Sequence, residues 1–112
     1  MPADKKDIGF IWDMLVASRD IRSFIEGVSL EEFEENKLIR YAVERQLLVI
    51  GEAVNHISEP FKEQHPEIPW FILVGQRNVL AHQYGEILAE RVWKTATADI
   101  PTLISSLEAI LE

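Results

Sequence analysis

The chain has 112 residues, 47% hydrophobic and 27% charged, with no cysteine. It suits one domain with its own core, and a disulfide framework or cysteine-based zinc site is excluded. Nineteen acids against eleven Lys and Arg give a net charge of −8, which makes a poor non-specific nucleic-acid binder and suits a basic protein partner.

The N-terminus lacks a basic start followed by an apolar stretch, so it does not read as a secretory signal. The longest apolar run, Trp70 to Val74, is far short of the roughly 20 residues of a membrane span. The expectation is a soluble cytoplasmic protein with no membrane partner.

Helical periodicity dominates the pattern. Ile8, Ile11, Trp12, Leu15, Ile21, Ile25 and Val28 recur mostly at steps of three and four, which predicts a helix from about Lys5 to Glu26 with Gly27 as its stop. Ser29 followed by Glu31 and Glu32 suits a helix N-terminus, and the run from Glu31 to Glu35 reads as a solvated acidic turn. A long helix is expected from about Asn36 to Ser58. One apolar row runs through Ile39, Val43, Leu47, Ile50, Val54 and Ile57, and a second through Leu38, Tyr41, Ala42, Leu48 and Val49. Together they predict a wide buried face.

Pro60, Pro66 and Pro69 then punctuate a loop, with Pro69 as the first residue of a third helix that runs to about Gln83 and stops at Gly85. A last helix covers about Ile87 to Leu111, with Pro101 inside it to kink or split it. No segment alternates convincingly with period two. The predicted fold is all-α, an up-down bundle of four to five helices in a single domain.

Polar residues on apolar stripes mark candidate functional positions. Arg77 lies within the stripe Trp70, Leu73, Val74, Leu80, Ala81 and Tyr84, where a guanidinium needs a carboxylate, an interface or an anionic ligand. Arg45 and Glu52, seven residues apart, share one face of the second long helix, and Glu52 is a candidate partner for either arginine. Glu52, His56 and His82 form a weak metal-ligand alternative, since no HExxH-like pattern is present. His65, between Gln64 and Pro66, reads as a solvated loop residue. On a straight helix His82 is offset by about 140° from Arg77. One chain therefore does not easily aim both side chains at one point, whereas two chains about a two-fold axis can.

The segment from Arg77 through Asn78 and His82 to Tyr84 matches R-x4-H-x-Y. With Gly51-Glu52-Ala53, Trp70 before the motif and Trp93 after it, the chain resembles the HEPN superfamily (higher eukaryotes and prokaryotes nucleotide-binding), specifically its HepT-like branch. The resemblance implies a helical homodimer, or a higher assembly with its antitoxin, in which the motifs of two subunits meet in a cleft. It implies a metal-independent endoribonuclease toxin of a type II/VII-like toxin–antitoxin pair, without a cofactor and with RNA as substrate. Arg77 and His82 would be catalytic, Asn78 and Tyr84 supporting or RNA-binding, and Glu52 and Arg45 a supporting layer behind them. It further implies an MNT-type nucleotidyltransferase antitoxin, which in some systems adenylylates the motif tyrosine, here Tyr84.

The chemistry is consistent with those residue types. Histidine serves as acid or base near neutral pH, and a forked, permanently charged arginine suits a phosphate in its transition state. A local cationic cleft can dominate nearby phosphates within a Debye length of about 8 Å despite the acidic total. A non-catalytic helical dimer that binds a nucleotidyltransferase partner is the alternative reading.

Overall fold

The computed structural model describes residues 5–82 and 86–112, with side chains described for these apart from 77–79, 81, 82, 86 and 87. The helices in order are α1 (Lys5–Ile25), α2 (Leu30–Glu35), α3 (Lys37–His56), α4 (Glu59–Gln64), α5 (Trp70–His82), α6 (Glu86–Lys94) and α7 (Ile100–Leu111), with a π-helical turn at Thr95–Asp99 between the last two. No strand occurs among the described residues. The architecture is the expected all-α bundle.

Helix boundaries follow local chemistry. Gly27 adopts φ +74°, a left-handed conformation that costs a glycine little, and closes α1 as predicted. Ser29 Oγ accepts from the Glu32 amide at 3.1 Å and so caps α2. Asn36 ends α2 and starts α3: its amide donates to the Glu32 carbonyl at 2.8 Å, and its Oδ1 accepts from the Ile39 amide at 3.2 Å. The acidic run is thus a short helix. Glu31, Glu32 and Glu35 are exposed, while Phe33 is fully buried with its ring 5.2 Å from that of Trp93.

Two expectations need correction between α3 and α5. Pro60 does not sit in a loop but in the first turn of α4, where a proline's missing N–H is tolerated, and Ser58 Oγ caps that helix by accepting from Phe61. Pro69 lies just before α5 rather than within it, and its carbonyl accepts from the Leu73 amide at 3.0 Å. Pro101 splits the last helix as predicted. The residue before it closes a five-residue bond, Ile100 amide to Thr95 carbonyl, and Pro101 sits in the first turn of α7.

α3 is the centre of the bundle, with α1 packed along one side and α5 along the other, while α7 packs on α1 and α2 on α6. The inner row of α3, from Val43 through Leu47, Ile50 and Val54, is buried in one core with Ile11, Met14, Leu15 and Ile21 of α1, Leu73 of α5, and Leu103, Ile104 and Leu107 of α7. Fully burying such a side chain contributes about 1.5–3 kcal/mol. The bundle is pinned at one end by Asp7, which is buried and accepts from the Ser58 amide at 2.8 Å and its hydroxyl at 2.7 Å.

The second apolar row of α3 is not buried as predicted. Leu38 is 83% exposed and Tyr41 57%, and Ala42, Leu48 and Val49 are only half-buried. Leu48 and Val49 instead line a groove shared with Phe10 and Asp13 of α1.

Candidate active site

α5 is held at its start by Trp70. The indole Nε1 donates to the carbonyls of Lys62 at 3.2 Å and His65 at 3.0 Å, and so ties the helix to the end of α4. His65 is correspondingly not a free loop residue: its ring lies 4.5 Å from Phe61, and its Nδ1 is 3.4 Å from Glu67 Oε2. Leu73 is buried, and Val74 and Leu80 pack against the core. Midway along, Gln76 Nε2 donates to Thr95 Oγ1 at 2.9 Å, which joins α5 to the π-helical turn.

Arg77, Asn78 and His82 all lie on α5, and the helix is unbroken through His82. Five residues of α-helix advance about 7.5 Å and rotate to an offset of about 140°. The unwinding that would let one chain aim Arg77 and His82 together is therefore not present up to His82. The side chains of these three residues, and Tyr84 altogether, lie outside the described residues.

Arg45 and Glu52 are both exposed and line a groove of about 240 Å³ between α1 and α3. Phe10, Asp13, Leu48 and His56 complete its walls, with the His56 ring stacked on Phe10 at 5.1 Å. Trp12 and Val16 of α1, adjoining Asp13, are 48% and 52% exposed. Among the described residues, no group of three or more His, Asp or Glu side chains could hold a metal ion, and no helix is long and apolar enough to cross a membrane.

Sequence reasoning missed the Gln76–Thr95 link. Its only trace is the pair Thr95 and Thr97 just ahead of Pro101, β-branched residues where the proline interrupts the helical ladder.

The sequence model of the family described as "Ribonuclease HepT-like" matches residues 14–110, which include all of α5 and the segment Arg77 to Tyr84. Two proteins of Methanocaldococcus jannaschii, each named "Putative RNase", are similar to this chain. One is 38% identical over 107 residues, 95% of this chain and 98% of its own, and the other is 42% identical over 109 residues, 96% and 94%. A "Probable ribonuclease HepT" of Thermococcus cleftensis is 36% identical over 101 residues, 90% of this chain and 92% of its own. No solved structure matches the chain. A helical bundle with the R-x4-H-x-Y segment beginning on α5, matched by the family model over nearly its whole length, belongs to the HepT-like ribonuclease family, whose substrate class is RNA.

Proposed function

We propose that the chain is a metal-independent endoribonuclease and the toxin of a toxin–antitoxin pair, with Arg77 and His82 of two subunits forming one RNA-cleaving cleft. The observation that carries this reading is the continuity of α5 through His82 within the matched span. The positions of Arg77 and His82 diverge by about 140° on one helix, and a second helix end would complete a site.

Cleavage without a metal ion needs a base to take the ribose 2′-OH proton, stabilisation of the phosphorus oxygens as the new P–O2′ bond forms, and an acid to protonate the departing 5′-oxygen. His82 from each subunit supplies the base and the acid. Arg77 neutralises the developing phosphorane charge. Asn78 orients the phosphate or His82, and Tyr84 contacts RNA. Glu52 and Arg45 stand on the neighbouring α3 as positioning residues.

Exposed apolar side chains support a homodimer. Trp12 and Val16 of α1 and Leu38 and Tyr41 of α3 are large apolar side chains exposed among the described residues, and a second copy would cover them.

The test is cleavage of mixed RNA in EDTA by the parent, Arg77→Ala and His82→Ala. The parent should cut. Each variant should lose about 10²–10⁴-fold, with its helical signal unchanged. Single variants that cut as fast as the parent would remove the role assignment, and a parent that is inert in EDTA, with Tyr84 unmodified by mass, would favour the binding-module reading.

Tyr84 is the proposed site of adenylylation by an MNT-type nucleotidyltransferase antitoxin. Attack of its phenol oxygen on the α-phosphorus of ATP would release pyrophosphate and place an anionic nucleotide at the cleft, where it would repel RNA. Intact mass should rise by AMP units on incubation with that partner and ATP. The same rise in Tyr84→Phe would overturn the assignment.

A further inference from the structure

The π-helical turn is a fixed point of the bundle. Within it the Thr95 carbonyl accepts from the Ile100 amide. Thr95 is 4% exposed and Ala96 1%, and Ala96 belongs to the central core. The turn packs against α1, α6 and α7. Its Thr95 Oγ1 accepts from Gln76 Nε2 at 2.9 Å, and Gln76 is half-buried on α5, one residue before Arg77. Interruptions of α-helices by such turns occur frequently at functional sites.

Two further kinds of contact hold α5. Trp70 ties its first residue to the carbonyls of Lys62 and His65, six residues ahead of Gln76. Leu73, Val74 and Leu80 pack on the core, and apolar burial is non-directional. Phe71 and Ile72 are exposed, so packing does not surround the helix in the single chain. A hydrogen bond is directional. The bond from Gln76 to Thr95 therefore resists rotation of α5 about its own axis, at the point where the motif begins. A rotation of about 10° displaces a group about 6 Å from a helix axis by about 1 Å. A misplacement of about that size can cost about 10²-fold in rate.

We propose that Gln76 and Thr95 are positioning residues for RNA cleavage, their hydrogen bond setting the rotation of α5 at which Arg77 meets the phosphate. This role rests on the proposed part of Arg77 in stabilising the phosphorane. The bond acts through the backbone that joins Gln76 to Arg77, and neither Gln76 nor Thr95 needs to touch RNA. A misplaced Arg77 is felt as charge develops on the phosphate, so the loss falls on kcat rather than on KM.

The experiment measures kcat and KM of the full chain on one single-stranded oligoribonucleotide in EDTA, where every variant is fully folded by circular dichroism. Thr95→Val keeps the side chain's shape and removes the acceptor. Gln76→Met keeps its length and removes the donor. Each should lower kcat at least about tenfold with KM within about twofold of the parent. Thr95→Ser, which keeps the hydroxyl, should recover most of the parent's kcat. The double variant Gln76→Met/Thr95→Val should be no slower than the slower single, because the same bond is lost in all three. If Arg77→Ala loses cleavage while both single variants keep the parent's kcat, the positioning is overturned and the proposed function stands. A Thr95→Ser as slow as Thr95→Val, or a loss that falls on KM alone, would also overturn the positioning. An Arg77→Ala that cuts as fast as the parent, or a parent inert in EDTA, would remove the proposed function and the positioning with it.

Discussion

α3 presents two apolar rows that look alike as sequence and differ completely in the folded chain. The inner row, with Val43, Leu47, Ile50 and Val54 at 2% exposure or less, is the spine of the core. The outer row begins with Leu38 and Tyr41 in solvent, and Arg45 and Glu52 interrupt it beside the groove facing α1. Periodicity shows that both rows are apolar, but burial needs a partner surface. For the inner row that surface is within the chain, in α1 and α5. For the outer row the proposed function assigns it to a second copy.

The same substitution on each row separates them. Leu47→Ala should destabilise the chain by about 2–5 kcal/mol through lost burial and the cavity left behind. Leu38→Ala, at the most exposed apolar position of α3, should stay within about 0.5 kcal/mol. Urea unfolding at low protein concentration, where dimer linkage is weak, measures both. Comparable losses would mean that the outer row is packed within one chain after all.

A smaller effect sharpens the contrast within α3. Burial raises the Glu44 carboxyl above the usual glutamate range, with Arg40 pulling the other way and losing. The folded chain therefore holds this proton to higher pH than the unfolded chain. Glu44's contribution to stability is greatest below the ordinary glutamate pKa and falls as pH rises through the folded value. Glu44→Gln should remove that slope. The variant should match the parent in acid and be slightly more stable near neutrality, as read from urea midpoints across pH. Parallel profiles would contradict it.

Much of the fold was legible because its punctuation is local. Gly27, Ser29 and Pro101 each act on neighbouring backbone, so the first helix stop, the start of the acidic helix and the break in the last helix could be read directly. α4 was not, since Pro60 suits a loop and a helix's first turn equally, and only the Ser58 cap separates them. The burial of Phe33 inside an acidic run was also hidden, because its partner Trp93 is distant in sequence. At the site, the order of Arg77, Asn78, His82 and Tyr84 was visible as a motif. Which of them meet is, under the proposed function, a property of an assembly, and no periodicity within one chain encodes that. The Gln76–Thr95 bond depends on the π-helical turn, which repositions residues away from the 3.6-residue rhythm on which sequence reading relies.

The central claim is that cleavage belongs to two copies joined over the outer row. The most direct measurement is RNA cleavage per chain in EDTA, alongside solution mass, for the parent and the double variant Trp12→Arg/Tyr41→Lys. Both substituted side chains are exposed in the single chain, so folding should be retained. The account predicts a monomeric double variant that is folded, keeps Arg77 and His82, and cuts at least about 100-fold more slowly. A folded monomer that cuts RNA at the parent's rate would contradict it.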